Sequence, residues 1–133
     1  MNAAFVWLHQ RSQIDQLVVL LLRSLAGDAS ARAQAMEAIF SLGGTRAAVV
    51  SLARLVGAAL AAGYELLPLS APDISIDETA LLRQLALSQH GLELGAANRH
   101  ADLAGLLSAA ADALEGLTLR LSPSARAIAR GIN

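Results

Sequence analysis

Apolar residues recur at three- and four-residue spacing through the long segments of this chain, and glycine or proline interrupts them at helix-length intervals. That spacing is the period of one helix face. Gly27, Gly43-Gly44, Gly63, Gly91 and Gly95 stand where such segments end. Glycine accepts the left-handed conformation that commonly closes a helix. Residue types agree with the pattern: 29 alanines and 26 leucines among 133 residues head the helix-propensity ranking. We therefore expect an all-α fold, a bundle of five main helices plus a short C-terminal helix, in one domain spanning residues 1–133.

Signals along the chain place the segments. A first helix is expected from Ala3 to Ala26, with Trp7, Leu8, Ile14, Val18, Leu21 and Leu25 inward and Gln10, Gln13, Gln16 and Arg23 on the wet side. Leu17–Leu22 is apolar all round, which points to a helix surrounded by neighbours. Asp28 or Ser30 caps a second helix to Leu42, and Thr45 caps a third, Arg46–Ala62. The third buries Val49, Leu52, Val56 and Leu60 and turns Arg46, Ser51 and Arg54 outward. Residues 64–74 carry Pro68 and Pro72 and read as an extended connection between helical hairpins 1–63 and 75–133. Ser75-Ile76-Asp77-Glu78 is a capping box, opening a fourth helix to Gln89 with Leu81, Leu82 and Leu85 inward. A fifth helix, Ala96–Leu117, buries Leu103, Leu106, Leu107, Ala110, Leu114 and Leu117. Ser122-Pro123 starts a short last helix to Arg130.

The bulk balance narrows the function classes. Net charge is −1 and the pI about 6.3, so no global field draws the chain to nucleic acid or anionic lipid. Absence of cysteine excludes disulfides, thiolate chemistry and cysteine-based zinc sites. Residues 47–63 are nearly apolar yet contain Ser51 and Arg54, which suits a buried core helix better than a membrane span. Met1–Phe5 lacks the charged start of a signal peptide, so a cytoplasmic location is expected. A hydrophobic fraction of 55% and a mean hydropathy of +0.50 suggest an apolar face kept for a partner. Charge is split: five arginines against three acids in residues 1–63, and eight acids against two arginines in 64–119. Opposed segments of this kind can attract within one molecule or between two copies.

Candidate chemistries are few. His90, Glu93 and His100 would gather a metal if residues 90–100 were continuous helix, but Gly91 and Gly95 interrupt it and the spacing is not that of helical zinc sites. No metal and no cofactor is expected. His100-Ala101-Asp102-Leu103-Ala104-Gly105 resembles the His-x-Leu-Lys-Gly signature of histidine phosphotransfer domains, which implies a helical bundle phosphorylated on His100. Leucine and glycine each stand one place late, and no lysine is present to stabilise the phosphoryl group. Residues 35–54 have the cadence of a DNA-binding helix-turn-helix, yet the second helix offers only Arg46, Ser51 and Arg54 to a duplex. Asp77 with Glu78 suits a helix's opening turn, and Asp112 with Glu115 a solvated face. Neither pair has a partner acid or base, so no enzyme is expected.

What remains is a protein-interaction module, a regulator, adaptor or chaperone-like protein that self-associates as a dimer. Its candidate contact residues are Phe5, Trp7 and Leu8 at one end, and Ile128, Ile132, Arg126 and Arg130 at the other. Tryptophan is enriched among interface anchors. The last helix pairs an apolar stripe with an i, i+4 pair of arginines, a pattern that can dock on a groove.

Overall fold

A computed structural model describes residues 6–91 and 103–121 of the chain. Five α-helices dominate the described residues: α1 (Gln13–Leu25), α2 (Ala29–Ser41), α3 (Arg46–Ala61), α4 (Ile76–Gln89) and α5 (Leu103–Gly116). Two short strands, β1 (Val6–Trp7) and β2 (Asp73–Ile74), pair antiparallel, with Val6 opposite Ile74 and Trp7 opposite Asp73. The fold is an all-α bundle, as the periodicity predicts. The expected short helix after Ser122 and the residues before Leu103 in the expected fifth helix lie outside the described residues.

Capping chemistry sets the boundaries. Asp28 accepts a hydrogen bond from the Ala31 N–H at 2.9 Å, Thr45 accepts from Ala48 at 3.2 Å, and Ser75 accepts from Glu78 at 3.0 Å. Glu78 reaches back to the Ser75 N–H at 3.0 Å, completing the capping box. Gly43, Gly63 and Gly91 take positive φ just past α2, α3 and α4. After α5 the same left-handed position is held by Thr118 (φ 60°), which lets the Leu119 N–H reach back to the Leu114 carbonyl.

The first helix starts later than the apolar spacing predicts. Ser12 caps it by accepting from the Asp15 N–H at 3.1 Å, and Leu8–Gln10 form one turn of 3-10 helix. Ahead of that turn the backbone is extended, because its hydrogen bonds go to the proline-bearing connection: Leu8 donates to the Pro72 carbonyl at 2.7 Å, beside the β1–β2 pair. Apolar spacing cannot reveal a partner so distant in sequence.

The core is leucine-rich and continuous. α3 and α5 share the most extensive contact, α4 lies against α5, and α1 touches α2, α3 and α4. Val18, Ile39, Leu52, Leu55, Leu81, Leu85, Leu107 and Leu114 are fully enclosed. The expected stripe of α3 is corrected at one position: Leu60 is exposed, and Leu55 and Ala59 are buried in its place. At the α2–α3 turn a side chain on Gly44 would meet Ile39 Cγ2 and Leu117 Cδ2, both at 2.6 Å, so only glycine fits that approach to α5.

Candidate functional site

The first correction to the sequence reading is Arg23. A charged residue on the polar side of an amphipathic segment is expected in water, yet the Arg23 side chain is wholly buried together with that of Glu78. Arg23 Nε donates to Glu78 Oε2 at 2.8 Å and Nη2 to Oε1 at 2.9 Å, a two-pronged pairing that the guanidinium fork permits and an ammonium does not. Two further donors are used as well: Nη1 binds the Ala71 carbonyl at 2.8 Å and Nη2 the Asp73 carbonyl at 2.6 Å. Glu78 also accepts from the Leu67 and Ser75 N–H groups, at 2.9 and 3.0 Å. One ion pair thus joins α1, α4 and the 64–74 connection. Every polar atom of the pair has a partner and the carboxylate accepts four hydrogen bonds, which suits a structural mounting and leaves no lone pair poised for acid–base work.

Between α1 and α2 lies a shallow apolar groove of about 300 Å³. Leu17, Leu20 and Leu21 form one wall, Ala35 and Ala38 the other, and Leu69 from the connection closes the lining; Ser24 and Gln34 are its polar groups. Leu20 is 36% exposed and Leu69 42%. α2 itself buries only Ala35 and Ile39 fully, and leaves Met36 and Phe40 at 40% and 45% exposure. Met36 and Phe40 border a wider depression of about 730 Å³ along the outer side of the same helix, which also includes Gln34. Sequence reading overlooked these side chains. The signal was present: Met36, Ile39 and Phe40 share one side of α2, a wider apolar arc than a single core contact needs.

A third concavity, about 440 Å³, runs from the α2–α3 turn along α3 and α5. Glycine and alanine make up most of its lining, and its polar groups are Asp112, Thr45 and Ser51. The Thr45 hydroxyl already caps the Ala48 N–H. No nucleophile–base pair is built there.

The expected contact residues divide. Trp7 is 39% exposed, its ring 6.2 Å from that of His9, whereas Leu8 is buried in the core. Phe5, Arg126, Ile128, Arg130 and Ile132 lie outside the described residues. His90 is described and donates from Nε2 to the Leu121 carbonyl at 3.0 Å, since that oxygen can only accept. Its neighbour Gln89 holds the same segment, donating to the Leu119 carbonyl at 2.9 Å and accepting from the Leu121 N–H at 2.7 Å. Glu93 and His100 lie outside the described residues, among which no group of three or more His, Asp or Glu side chains is placed to hold a metal ion. On the outward side of α3, Ala47, Val50 and Ala53 are exposed between Arg46 and Arg54. No described helix is long and apolar enough to cross a membrane.

Comparison with protein-family models, with curated proteins and with solved structures yields no match.

Proposed function

We propose that this chain is a non-enzymatic protein-interaction module that self-associates through the apolar face of α1, α2 and the 64–74 connection. The observation that carries the reading is the groove bearing Leu20 and Leu69, beside a helix that leaves Met36 and Phe40 in water. Leaving several large apolar side chains exposed on one helical hairpin forfeits burial of about 25 cal/mol for each Å². A symmetric dimer recovers it, because an isologous interface buries the same patch from both copies. Hydrogen-bonded polar networks at Arg23–Glu78 and at Gln89 favour a structural reading of the buried polar groups over a catalytic one.

Sedimentation at micromolar concentration tests this. The wild type should run above its monomer mass of 13.7 kDa, and Phe40→Asp, on an exposed position, should shift it towards monomer while the helical spectrum is kept. A wild type that stays monomeric removes self-association. A salt-dependent shift with random duplex DNA would instead support the helix-turn-helix reading of residues 35–54.

A further inference from the structure

We infer that residues 67–72 form a hinged lid, which the Arg23–Glu78 ion pair holds shut over the α1–α2 groove. The two ends of the connection are anchored by apolar burial, with Tyr64 and Ile74 at 4% and 5% exposure. Between them the attachment changes character. Glu78 Oε2 takes the Leu67 N–H on one flank, and Arg23 Nη1 takes the Ala71 carbonyl on the other. The tip, Pro68–Leu69–Ser70, is exposed, and the turn is closed by a single hydrogen bond from the Ala71 N–H to the Pro68 carbonyl at 3.0 Å. Leu69 sits on that tip and completes the lining of the groove.

Segments with exposed tips and few buried apolar contacts open locally, at lower free energy than the core. Here the residues that resist opening are not in the lid. They belong to α1 and α4, and at the hinge edge the Leu8 N–H holds the Pro72 carbonyl at 2.7 Å, so between Leu67 and Ala71 the lid's polar attachment is set by one interaction between two helices. Lid opening carries Leu69 away and widens access to Leu17, Leu20 and Leu21. In the self-association proposed above, the ion pair would therefore regulate the contact face; that consequence rests on the interaction reading, whereas the hinge does not.

The test is amide hydrogen exchange by NMR on the full chain carrying Arg23→Met and Glu78→Met together, which removes both charges at once. The diagnostic amide is Ala71, because its acceptor, the Pro68 carbonyl, is untouched by either substitution. Its exchange should accelerate by roughly tenfold or more, while Val19, Leu82 and Leu107 in the helix interiors keep theirs. Unchanged exchange at Ala71, or acceleration only in step with the helices, overturns the lid. Should the double variant fail to fold, the wild type decides. Exchange at Ala71 must then be insensitive to low urea while the helix interiors are sensitive, and a shared urea dependence overturns the proposal. A monomeric wild type with a locally opening Ala71 would refute self-association and leave the lid standing.

Discussion

Where α3 meets α5, Leu52, Leu55 and Ala59 on one side and Leu107, Ala110 and Leu114 on the other are fully buried and wholly apolar. Where the 64–74 connection meets α1 and α4, a buried guanidinium and a buried carboxylate do the holding, and backbone carbonyls and N–H groups of the connection bind to both. The first region is dry, non-directional and tolerant of volume-conserving exchange. The second is directional: each hydrogen bond needs its partner at a set angle and distance. A helix–helix seam can be built by area alone because its backbone polar groups are already paired within the helices. An irregular connection has unpaired N–H and C=O groups of its own, and side chains must supply what secondary structure does not.

The largest effect is expected from breaking the polar region on one side only. Arg23→Met strands the Glu78 carboxylate in the interior, and unfolding measured by urea should show a loss of roughly 3–5 kcal/mol, the usual consequence of unpairing a buried charge. Leu107→Ala in the dry seam should lose a comparable or smaller amount, about 2–5 kcal/mol, through a cavity. The two are distinguished by their partners. Adding Glu78→Met to Arg23→Met should restore much of the loss, whereas no second truncation restores a cavity. A double variant no more stable than Arg23→Met alone would place the region's strength outside the ion pair.

A smaller effect is expected where the seam reaches the α2–α3 turn. Gly44→Ala places a Cβ at 2.6 Å from Ile39 Cγ2 and 2.9 Å from the Ile39 carbonyl oxygen, and the backbone cannot step aside as a side chain can. Thermal unfolding should report a loss of about 1–3 kcal/mol from this overpacking. A neutral result would show that the turn has slack and that α3 and α5 set their separation without it.

The smallest effect has the opposite sign. Thr118 holds the left-handed position past α5 that Gly43, Gly63 and Gly91 hold past three other helices. Thr118→Gly should stabilise the fold by roughly 0.5–1 kcal/mol, since a β-branched residue is strained at positive φ and glycine is not. A loss of stability on this exchange would mean that the Thr118 hydroxyl, which donates to the Leu117 carbonyl, outweighs the backbone strain.

Much of the helical layout is legible in the residue order. Asp28, Thr45 and Ser75 cap the helices they precede, Leu81, Leu82 and Leu85 are buried as their spacing predicts, and Gly43 and Gly63 end α2 and α3. These features depend on a few neighbouring residues, and hydrogen bonds and side-chain phases within one or two turns decide them. Trp7 and Leu8 mark the boundary of that reach. Helical phase would place both inward, and the extended pairing with Asp73 turns Trp7 outward and Leu8 in.

Of the candidate face, Leu20 belongs to the all-apolar run that reads as surrounded, whereas Met36 and Phe40 are legible only as part of an apolar arc on α2 wider than a single core contact needs. What only the tertiary structure decided is the fate of groups whose partners are far along the chain. Arg23 and Glu78 lie 55 positions apart, and nothing local separates this arginine from one that stays in water. Burial of a charge depends on whether opposite charge and backbone acceptors converge on it in space. The chain's order determines which segments are helices; the packing of those helices determines which charges become structure.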